Sequence, residues 1–277
     1  ENLMSEDQIV VQLNPDVPPT GSDLGVVNAA RRSFGKRSEW DVFSNGEVYG
    51  DGTLVEYGQL KKKDKRLLEF LARGMTADDF EEFLLDTHDS FHLREEYVNK
   101  LWQWRNTPTH DTPFNHGFFS FEVKAPIFVR AQLVKHEYLI LSEFSRRYIT
   151  DDVEFYEPDV WRKAADNKKQ GSTLSPVELN RWGNVGLEKE VIKKSVLSHY
   201  QNLLDAGVAP EQARMVLPQS LMTAWTWSGT LGAFANMCKL RLHPEAQYEA
   251  RLVAQQVYEE LKKQFPVSAR LLVEGVV

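Results

Sequence analysis

The sequence has 277 residues, of which 42% are hydrophobic and 26% charged, and its formal net charge is −7. This length and composition are typical of a globular protein with one large or two small domains, and the acidic balance disfavours tight binding to nucleic-acid polymers. The single cysteine, Cys238, excludes an intrachain disulfide and a cysteine metal cluster.

The start of the sequence carries no targeting pattern. No charged-then-apolar segment opens it, and no apolar run reaches the roughly 18 residues of a membrane-spanning helix. We therefore expect a cytoplasmic protein. Residues 1–21 are polar and end in the turn-rich run PDVPPTGS, which predicts an N-terminal arm or edge strand followed by a turn.

Helical and strand-like patterns alternate in the first half of the sequence. Residues 24–36 turn from apolar to small and basic, as in a helix that runs into a loop, and 39–58 are rich in turn residues. Leucines at helical spacing predict helices over 61–106. Apolar and polar residues then alternate in GFFSFEVKAPIFV, which predicts a strand that ends at Val129.

The second half of the sequence reads mainly as helices. A long amphipathic helix is predicted from Asn184 to Ala206, where Gly207 stops it, and a short helix starts near Pro210. Residues 219–240, rich in small and aromatic side chains, predict another helix. Pro244 opens the last one.

The segment 130–148, RAQLVKHEYLILSEFSRRY, is the most unusual part of the sequence. It holds too many hydrogen-bonding side chains for an ordinary core element and too many apolar ones for a solvated loop. A segment that is both buried and charged needs a partner for its charges. We expect that partner to be an anionic ligand.

Five cations lie in or beside segments that are otherwise apolar or small. Arginine suits bidentate capture of phosphate and recognition of a base carbonyl. The alternative for each residue is an ordinary salt bridge, an interpretation that weakens when all five are taken together. These cations are Lys135, Arg146, Arg147, Arg214 and Arg241.

Motifs for several other kinds of chemistry are absent from the sequence. It contains no G-x-S-x-G elbow, no Walker loop and no G-x-G-x-x-G, so any redox cofactor must be held in another way. Cys238 fits a buried structural thiol better than a nucleophile. His110 and His116 lack partners at zinc-ligand spacing, and we expect no metal site.

Five stretches, in order, resemble the flavin-dependent thymidylate synthases. The hallmark of that family is R-H-R-x-x-S-x-N-E-x-S-x-R-Y, and residues 135–148 read KHEYLILSEFSRRY. The runs HDTPFNHGFFSFEVKAPIFVRAQ, ARMVLP, KLRLHPEAQYEAR and VVNAARRSFGK are similar to four further family motifs. The resemblance spans residues 26–260, with insertions at 75–105 and 160–185.

The resemblance implies two sets of site residues. Arg241 is implied to bind the uracil edge and, with His136, to be catalytic. The set implied to bind deoxyuridylate is Gln132, Lys135, Glu143, Phe144, Ser145, Arg146, Arg147, Arg214 and Arg241. The set implied to line the flavin is Ser33, Thr112, Asn115, Lys135, His136, Glu137 and Asn236.

Several residues depart from the family pattern. Lys135 and Glu137 replace the first two of the three hallmark arginines, and Asn115 replaces a glutamate. Glu137 gains a negative charge while Asn115 loses one, so we expect the two changes to compensate at the flavin. Ile140 removes a hallmark hydroxyl that could serve as a nucleophile, so the chemistry must depend on the cofactor.

The resemblance also implies the fold and the function. It implies an α+β fold, with a central antiparallel sheet flanked by helices in a single domain over 1–277, assembled as a homotetramer with shared active sites. The implied reaction is methylation of dUMP to dTMP with 5,10-methylenetetrahydrofolate, FAD and NADPH. The altered KHE triplet leaves two alternatives open, a pyrimidine nucleotide hydroxymethylase and an inactive nucleotide-binding relative.

Overall fold

The computed structural model describes residues 8–51, 53–74, 76, 78–79, 81–82, 110–165, 172–177 and 185–274. The predicted arm is therefore described from residue 8 onwards. The insertion predicted at 75–105 lies almost wholly outside the described residues, and the one predicted at 160–185 lies partly outside them.

The described elements comprise helices and strands in mixed order, as expected for an α+β protein. The strands are β1 Val10–Leu13, β2 Asp41–Val48, β3 Leu54–Gln59, β4 Phe118–Pro126, β5 Leu139–Glu143, β6 Arg162–Ala164, β7 Ser172–Pro176 and β8 Met222–Thr230. The α-helices are Asp23–Arg32, Lys62–Arg73, Ile127–Leu133, Val185–Asp205, Pro210–Ala213, Leu231–Arg241, Tyr248–Gln264 and Ser268–Val273. Short 3-10 helices span Thr112–His116 and Arg214–Val216.

A four-stranded sheet with the order β1-β4-β8-β5 confirms the predicted central sheet. Strand β1 is an edge strand, as the N-terminal sequence predicts, and pairs antiparallel with β4 through Val10–Lys124 and Leu13–Phe121. Phe121 and Val123 are fully buried, which explains the alternation seen in the sequence.

The strand prediction for β4 is too long at its C-terminal end. The strand ends at Pro126, and Ile127–Leu133 form a helix. Proline lacks the N–H that a sheet ladder needs and here acts as the N-cap of that helix, so the apolar run IFV continues as helix and not as strand.

The helix predicted over 219–240 is also wrong in its first half. Met222–Thr230 form strand β8, and only Leu231–Arg241 are helical. Trp225 and Trp227 are buried while Ala224 beside them is exposed, which fits the period of two that a strand requires. Threonine and tryptophan also favour strands, so the small residues misled the helical interpretation.

Two further elements differ from the sequence prediction. The turn-rich stretch folds into the hairpin β2–β3, in which the rings of Phe43 and Tyr57 stack with centroids 5.7 Å apart. The helix predicted to open at Pro244 begins later, at Tyr248, and is not the last one, because the helix Ser268–Val273 follows it. The helix predicted after residue 24 is confirmed as Asp23–Arg32 and begins with a hydrogen bond from Gly25 N to Ser22 Oγ.

The chain divides into two compact units. The first comprises 1–16, 120–228 and 240–257, and the second 17–119, 229–239 and 258–277. The first buries Leu133, Trp225, Trp227 and Val253, whereas the second buries Leu68, Phe114, Phe234 and Phe265. The single-domain organisation stays a prediction.

No helix among the described residues combines the length and apolar character that crossing a membrane requires. The cytoplasmic location stays a prediction.

Candidate active site

The segment 130–148 changes direction between a helix and a strand of the first unit. The helix Ile127–Leu133 ends within it, and β5 begins at Leu139. Between them Tyr138 adopts a left-handed conformation with φ of 64°, which is uncommon for a residue with a side chain and turns the chain into the strand. The turn carries Lys135, His136 and Glu137.

This segment is charged as predicted, but the expected burial is wrong. Among its described residues only Leu133 and Arg146 are buried, while Tyr138 is 83% and Ile140 70% exposed. The reason is the position of β5 at the edge of the sheet, where β8 is its one neighbour in the strand order. The apolar side chains here lie open to a partner.

Arg241, the last residue of the helix Leu231–Arg241, forms hydrogen bonds with the end of the helix Ile127–Leu133 and with the turn that follows it. Its Nε donates to Nε2 of His136 at 2.9 Å, and its Nη2 donates to the backbone oxygen of Gln132 at 3.1 Å. Burial first, and the charge of Arg241 second, lower the pKa of His136 to about 4. His136 is therefore neutral near pH 7 and able to accept.

A cavity of about 630 Å³ adjoins this cluster in the first unit. Its cationic side chains are Lys135, Arg162 and Arg241, with no carboxylate in the described lining. Three cations around one cavity favour an anionic or carbonyl-bearing ligand. The rest of the lining is Gln132, Ser172, Ala246 and Gln247.

A second cavity of the first unit, of about 550 Å³, brings together six residues of the implied deoxyuridylate set. Arg147 and Arg214 supply cations, and Ser145 a hydroxyl, a combination suited to phosphate. The six residues are Glu143, Phe144, Ser145, Arg146, Arg147 and Arg214.

Glu143 and Arg146 are held in place by other parts of the first unit. Glu143 pairs with Arg130 at 2.7 Å and accepts from the Thr223 hydroxyl at 3.1 Å. The guanidinium of Arg146 donates to the backbone oxygens of Asp151 and Asp152 and so closes its own loop. Arg147 is exposed, and its charge is the freer one for a ligand.

The residues implied to line the flavin are divided between the units. Lys135, His136 and Glu137 belong to the first unit, whereas Ser33, Thr112, Asn115 and Asn236 belong to the second. In the second unit Ser33 and Thr112 line one cavity of about 730 Å³.

Asn115 closes the start of the helix Leu231–Arg241 within the second unit. Its Oδ1 accepts from the Thr230 hydroxyl at 2.7 Å, and that hydroxyl accepts from Ala233 N at 3.2 Å. A Cβ on Gly232 would lie 2.5 Å from Asn115 Oδ1, so glycine is required for this close approach. Asn236 is exposed on the same helix.

Cys238 is fully buried, as the sequence predicts. Burial raises the pKa of its thiol well above the ordinary value, so the thiol stays protonated. A buried protonated thiol is a poor nucleophile, which leaves Cys238 a packing role. The described residues hold no His, Cys, Asp and Glu cluster arranged for a metal ion.

Four residues near the implied substrate set were missed by the sequence reasoning. Arg130 holds Glu143, and Arg162, Gln247 and Glu249 form a network beside Gln132. Gln247 and Glu249 lie in the run AQYEAR, which is part of one of the family-like stretches. The sequence therefore marked these two residues, although no role was assigned to them. Arg162 lies in a stretch that reads as irregular and gave none.

Comparison with known proteins identifies the family. A family model described as thymidylate synthase complementing protein matches residues 20–267. The chain belongs to this family. The match confirms the resemblance found in the sequence.

Several curated relatives of this chain are named flavin-dependent thymidylate synthase. One from Thermus thermophilus is 40% identical over 159 residues, which are 57% of this chain and 57% of the relative. The one from Kosmotoga olearia is 38% identical over 160 residues, 57% of this chain and 69% of the relative. The one from Pseudothermotoga lettingae is 32% identical over 207 residues, 72% of this chain and 90% of the relative.

A solved structure has the same fold along nearly the whole chain. It is the UMP/dUMP methylase PolB from Streptomyces cacaoi bound with 5-Br dUMP, with a TM-score of 0.63 and 25% identity. The likeness covers 95% of this chain and 93% of that one.

Proposed function

We propose that this member of the thymidylate synthase complementing family methylates dUMP at C5 to give dTMP. The observation that carries the proposal is the contact of Arg241 with His136 and with the backbone of Gln132 beside a cationic cavity. The names of the relatives and of the solved methylase support the substrate class.

The first unit offers two kinds of contact to dUMP, one to its phosphate and one to its uracil ring. Arg147, Arg214 and Ser145 bind the phosphate, because charged and hydroxyl donors form strong hydrogen bonds to its oxygens. Arg241 binds a carbonyl on the uracil edge. Arg147 and Arg214, which come from different elements, then hold the nucleotide by its phosphate.

Arg241 also supplies the electrostatic part of the reaction. A cation beside the uracil carbonyl stabilises the negative charge that develops on the ring, so that C5 becomes nucleophilic. Burial lowers the pKa of Arg241 below its ordinary value, but a guanidinium remains charged near neutral pH. Neutral His136 accepts from Arg241 and holds its orientation without adding a competing charge.

The carbon comes from 5,10-methylenetetrahydrofolate. C5 of uracil bonds to the methylene carbon, the bond from that carbon to folate nitrogen breaks, and the hydrogen on C5 leaves as a proton. No enzyme nucleophile is needed, which agrees with the buried thiol of Cys238. Reduced FAD, when bound, supplies the hydride that completes the methyl group, and NADPH is the reductant that restores it.

The second unit has side chains that fit part of such a flavin. Its cavity of about 730 Å³ has the hydroxyls of Ser33 and Thr112 together with the cations Lys36 and Lys63. Hydroxyl and ammonium donors suit a pyrophosphate. In the first unit, Lys135 and His136 belong to the same proposed flavin set.

We also propose a homotetramer with active sites shared between subunits. The exposed apolar side chains of Tyr138, Ile140 and Tyr148 beside the site residues support it, because clustered apolar exposure marks interaction surfaces. Light scattering on the eluted protein should give about four times the 31.9 kDa of one chain.

A hydroxymethylase is the second candidate function. Lys135 and Glu137, where the family has arginines, motivate it. In that reaction water, in place of hydride, would add to the transferred methylene carbon and give a hydroxymethyl group. A third interpretation, an inactive relative that binds nucleotide and flavin without turnover, is distinguished by the absence of any product.

The spectrum of the purified protein tests the proposed cofactor. The protein as purified, or after addition of FAD and removal of the unbound FAD, should be yellow. NADPH should bleach the flavin bands in the absence of oxygen. Addition of dUMP should perturb those bands. A protein without flavin bands, after FAD has been added and the unbound FAD removed by gel filtration, would remove the cofactor, and with it the proposed reaction.

A further inference from the structure

A buried carboxylate, Glu249, joins three side chains of the first unit. It is 4% exposed and lies in the first turn of the helix Tyr248–Gln264. Its Oε1 accepts from Arg162 Nη2 at 2.5 Å and from the Tyr156 hydroxyl at 3.4 Å. Its Oε2 accepts from Gln247 Nε2 at 3.1 Å.

The contact with Glu249 fixes the orientation of the Gln247 amide. An ionised carboxylate only accepts hydrogen bonds, so Gln247 must turn its NH2 group towards it. Its oxygen Oε1 is then left for Gln132, which donates to it from Nε2. The charge of Glu249 thus determines which way the amides of Gln247 and Gln132 are oriented, through a relay of two hydrogen bonds.

The orientation of the Gln132 amide decides whether it presents a hydrogen-bond donor or an acceptor to the cavity that it lines. With Nε2 held by Gln247, no described residue donates to Oε1 of Gln132. Arg241, which lines the same cavity, is held by the backbone oxygen of Gln132 at 3.1 Å. The cavity therefore combines a fixed donor, Arg241, with an acceptor, Oε1 of Gln132. The orientation of that acceptor is fixed by the contact of Gln132 with Gln247.

We propose that Glu249 is a positioning residue that makes Gln132 a hydrogen-bond acceptor for a donor group of dUMP. This inference rests on the proposed function and goes beyond it, because it assigns roles to Glu249 and Gln247. Two groups of dUMP have that chemistry, N3–H of uracil and the 3′-hydroxyl. At N3 the relay selects uracil over cytosine, whose N3 is an acceptor and faces Gln132 Oε1 unfavourably.

The substitution Glu249→Gln should reverse the relay. Arg162 has only donors, so the amide introduced at position 249 must turn its oxygen to Arg162 and its NH2 to Gln247. Gln247 then turns over, Gln132 follows, and Gln132 presents NH2 to the cavity in place of its oxygen. The shape of every side chain in the relay is almost unchanged.

Calorimetric titration of the FAD-loaded protein with dUMP, dCMP and 2′,3′-dideoxyuridylate tests the reversal. We expect Glu249→Gln to weaken dUMP binding about tenfold, which is about 1.4 kcal/mol. If N3–H is the donor, the preference for dUMP over dCMP falls by at least the same factor. If the 3′-hydroxyl is the donor, that preference is unchanged, and the loss disappears with the dideoxy nucleotide.

Glu157→Gln is the matched control. It also replaces a carboxylate with an amide in the first unit, where Glu157 pairs with Lys193 at 2.8 Å, and neither residue lines the cavity of Gln132. Its nucleotide affinities should equal those of the parent. Circular dichroism and thermal unfolding establish that both variants are folded.

Three outcomes would overturn the proposal. An equal loss of affinity for all three nucleotides would give Glu249 a purely structural role, and unchanged affinities would remove it from the site. If Glu249→Gln does not fold, Gln247→Leu replaces it, because this change breaks the relay and leaves the charge of Glu249 in place. Relative affinities of Gln247→Leu for dUMP, dCMP and 2′,3′-dideoxyuridylate that all equal those of the parent would also refute the inference. A parent that binds none of the nucleotides would instead refute the proposed function itself.

Discussion

Arg241 and His136, 105 residues apart in sequence, form one hydrogen-bonded unit in which Nε of the guanidinium donates to Nε2 of the imidazole at 2.9 Å. The imidazole can accept only while that nitrogen is unprotonated. Burial and the adjacent cation both disfavour the charged ring, which explains the low pKa of His136. The cation that polarises the substrate is thus oriented by a neutral partner.

The first prediction is that His136 titrates with a midpoint of about 4 and not near 6.5. Nitrogen-15 NMR of histidine-labelled protein reports the protonation of each ring. Arg241→Gln should raise the midpoint only in part, because burial is the larger cause and remains. A midpoint near 6.5 in the parent would show that neither the burial of His136 nor its contact with Arg241 persists in solution.

The same pKa gives the sign of a pH effect on stability. Between pH 6.5 and about 4 the unfolded chain binds a proton at His136 that the folded chain does not. This group therefore lowers the free energy of unfolding as the pH falls through that window, and contributes no change above it. In His136→Gln, the decline of urea-unfolding free energy over this window should be shallower than in the parent.

The second prediction concerns the arginines. Arg147→Ala and Arg241→Ala should each weaken dUMP binding roughly ten- to a hundredfold, since a hydrogen bond to a charged group contributes about 1.5–3 kcal/mol. Titration calorimetry measures both. Arg37→Ala, which removes an exposed arginine outside the two cavities of the first unit, is the control and should bind as the parent does. Unchanged affinity in both site variants would remove them from the site.

The third prediction separates the thiol from the chemistry. Cys238→Ser should retain most of the turnover rate, because the buried protonated thiol attacks nothing in the proposed reaction. In the folded parent, a thiol reagent such as DTNB should react only after denaturant is added. Complete inactivation of a folded Cys238→Ser variant, confirmed by circular dichroism, would reopen a cysteine mechanism.

The fourth prediction concerns Glu137 and Asn115. The sequence suggests that these two departures from the family compensate, although Glu137 is exposed in a single chain and so does not need a partner for burial. We still predict that Glu137→Arg lowers turnover and flavin affinity, and that adding Asn115→Glu restores part of the loss. A double-mutant cycle measures the coupling. Effects that add within error would show that the two positions act independently.

The sequence predicted the parts of the fold that local patterns control. The alternation around Phe121 and the change to small and basic residues after Asp23 each gave the correct element. The strand β8 was missed because the small residues of 219–240 were interpreted as part of one helix. Its threonines and tryptophans favour a strand, and burial of Trp225 and Trp227 in the sheet decides the outcome. Pairing with neighbouring strands is a long-range effect that local periodicity does not contain.

The candidate site was predicted in a similar way, as separate motifs. The motifs gave Gln132, Arg147 and Arg241, because each lies in a family-like run. They did not give the relay from Glu249, since the contacts between its members join separate segments and Arg162, which pairs with Glu249, comes from a distant and irregular stretch. Hydrogen-bond networks between distant segments become visible only when the fold is known.

Mass spectrometry of the product is the most direct test of the proposed methylation. The purified protein is incubated with dUMP, 5,10-methylenetetrahydrofolate, FAD and NADPH, with omission of each component as a control. We predict a product that carries one carbon and two hydrogens more than dUMP, which identifies dTMP, and no product when any substrate or the reductant is omitted. A product with an additional oxygen would identify the hydroxymethylase, and bound nucleotide and flavin without any product would contradict catalysis altogether.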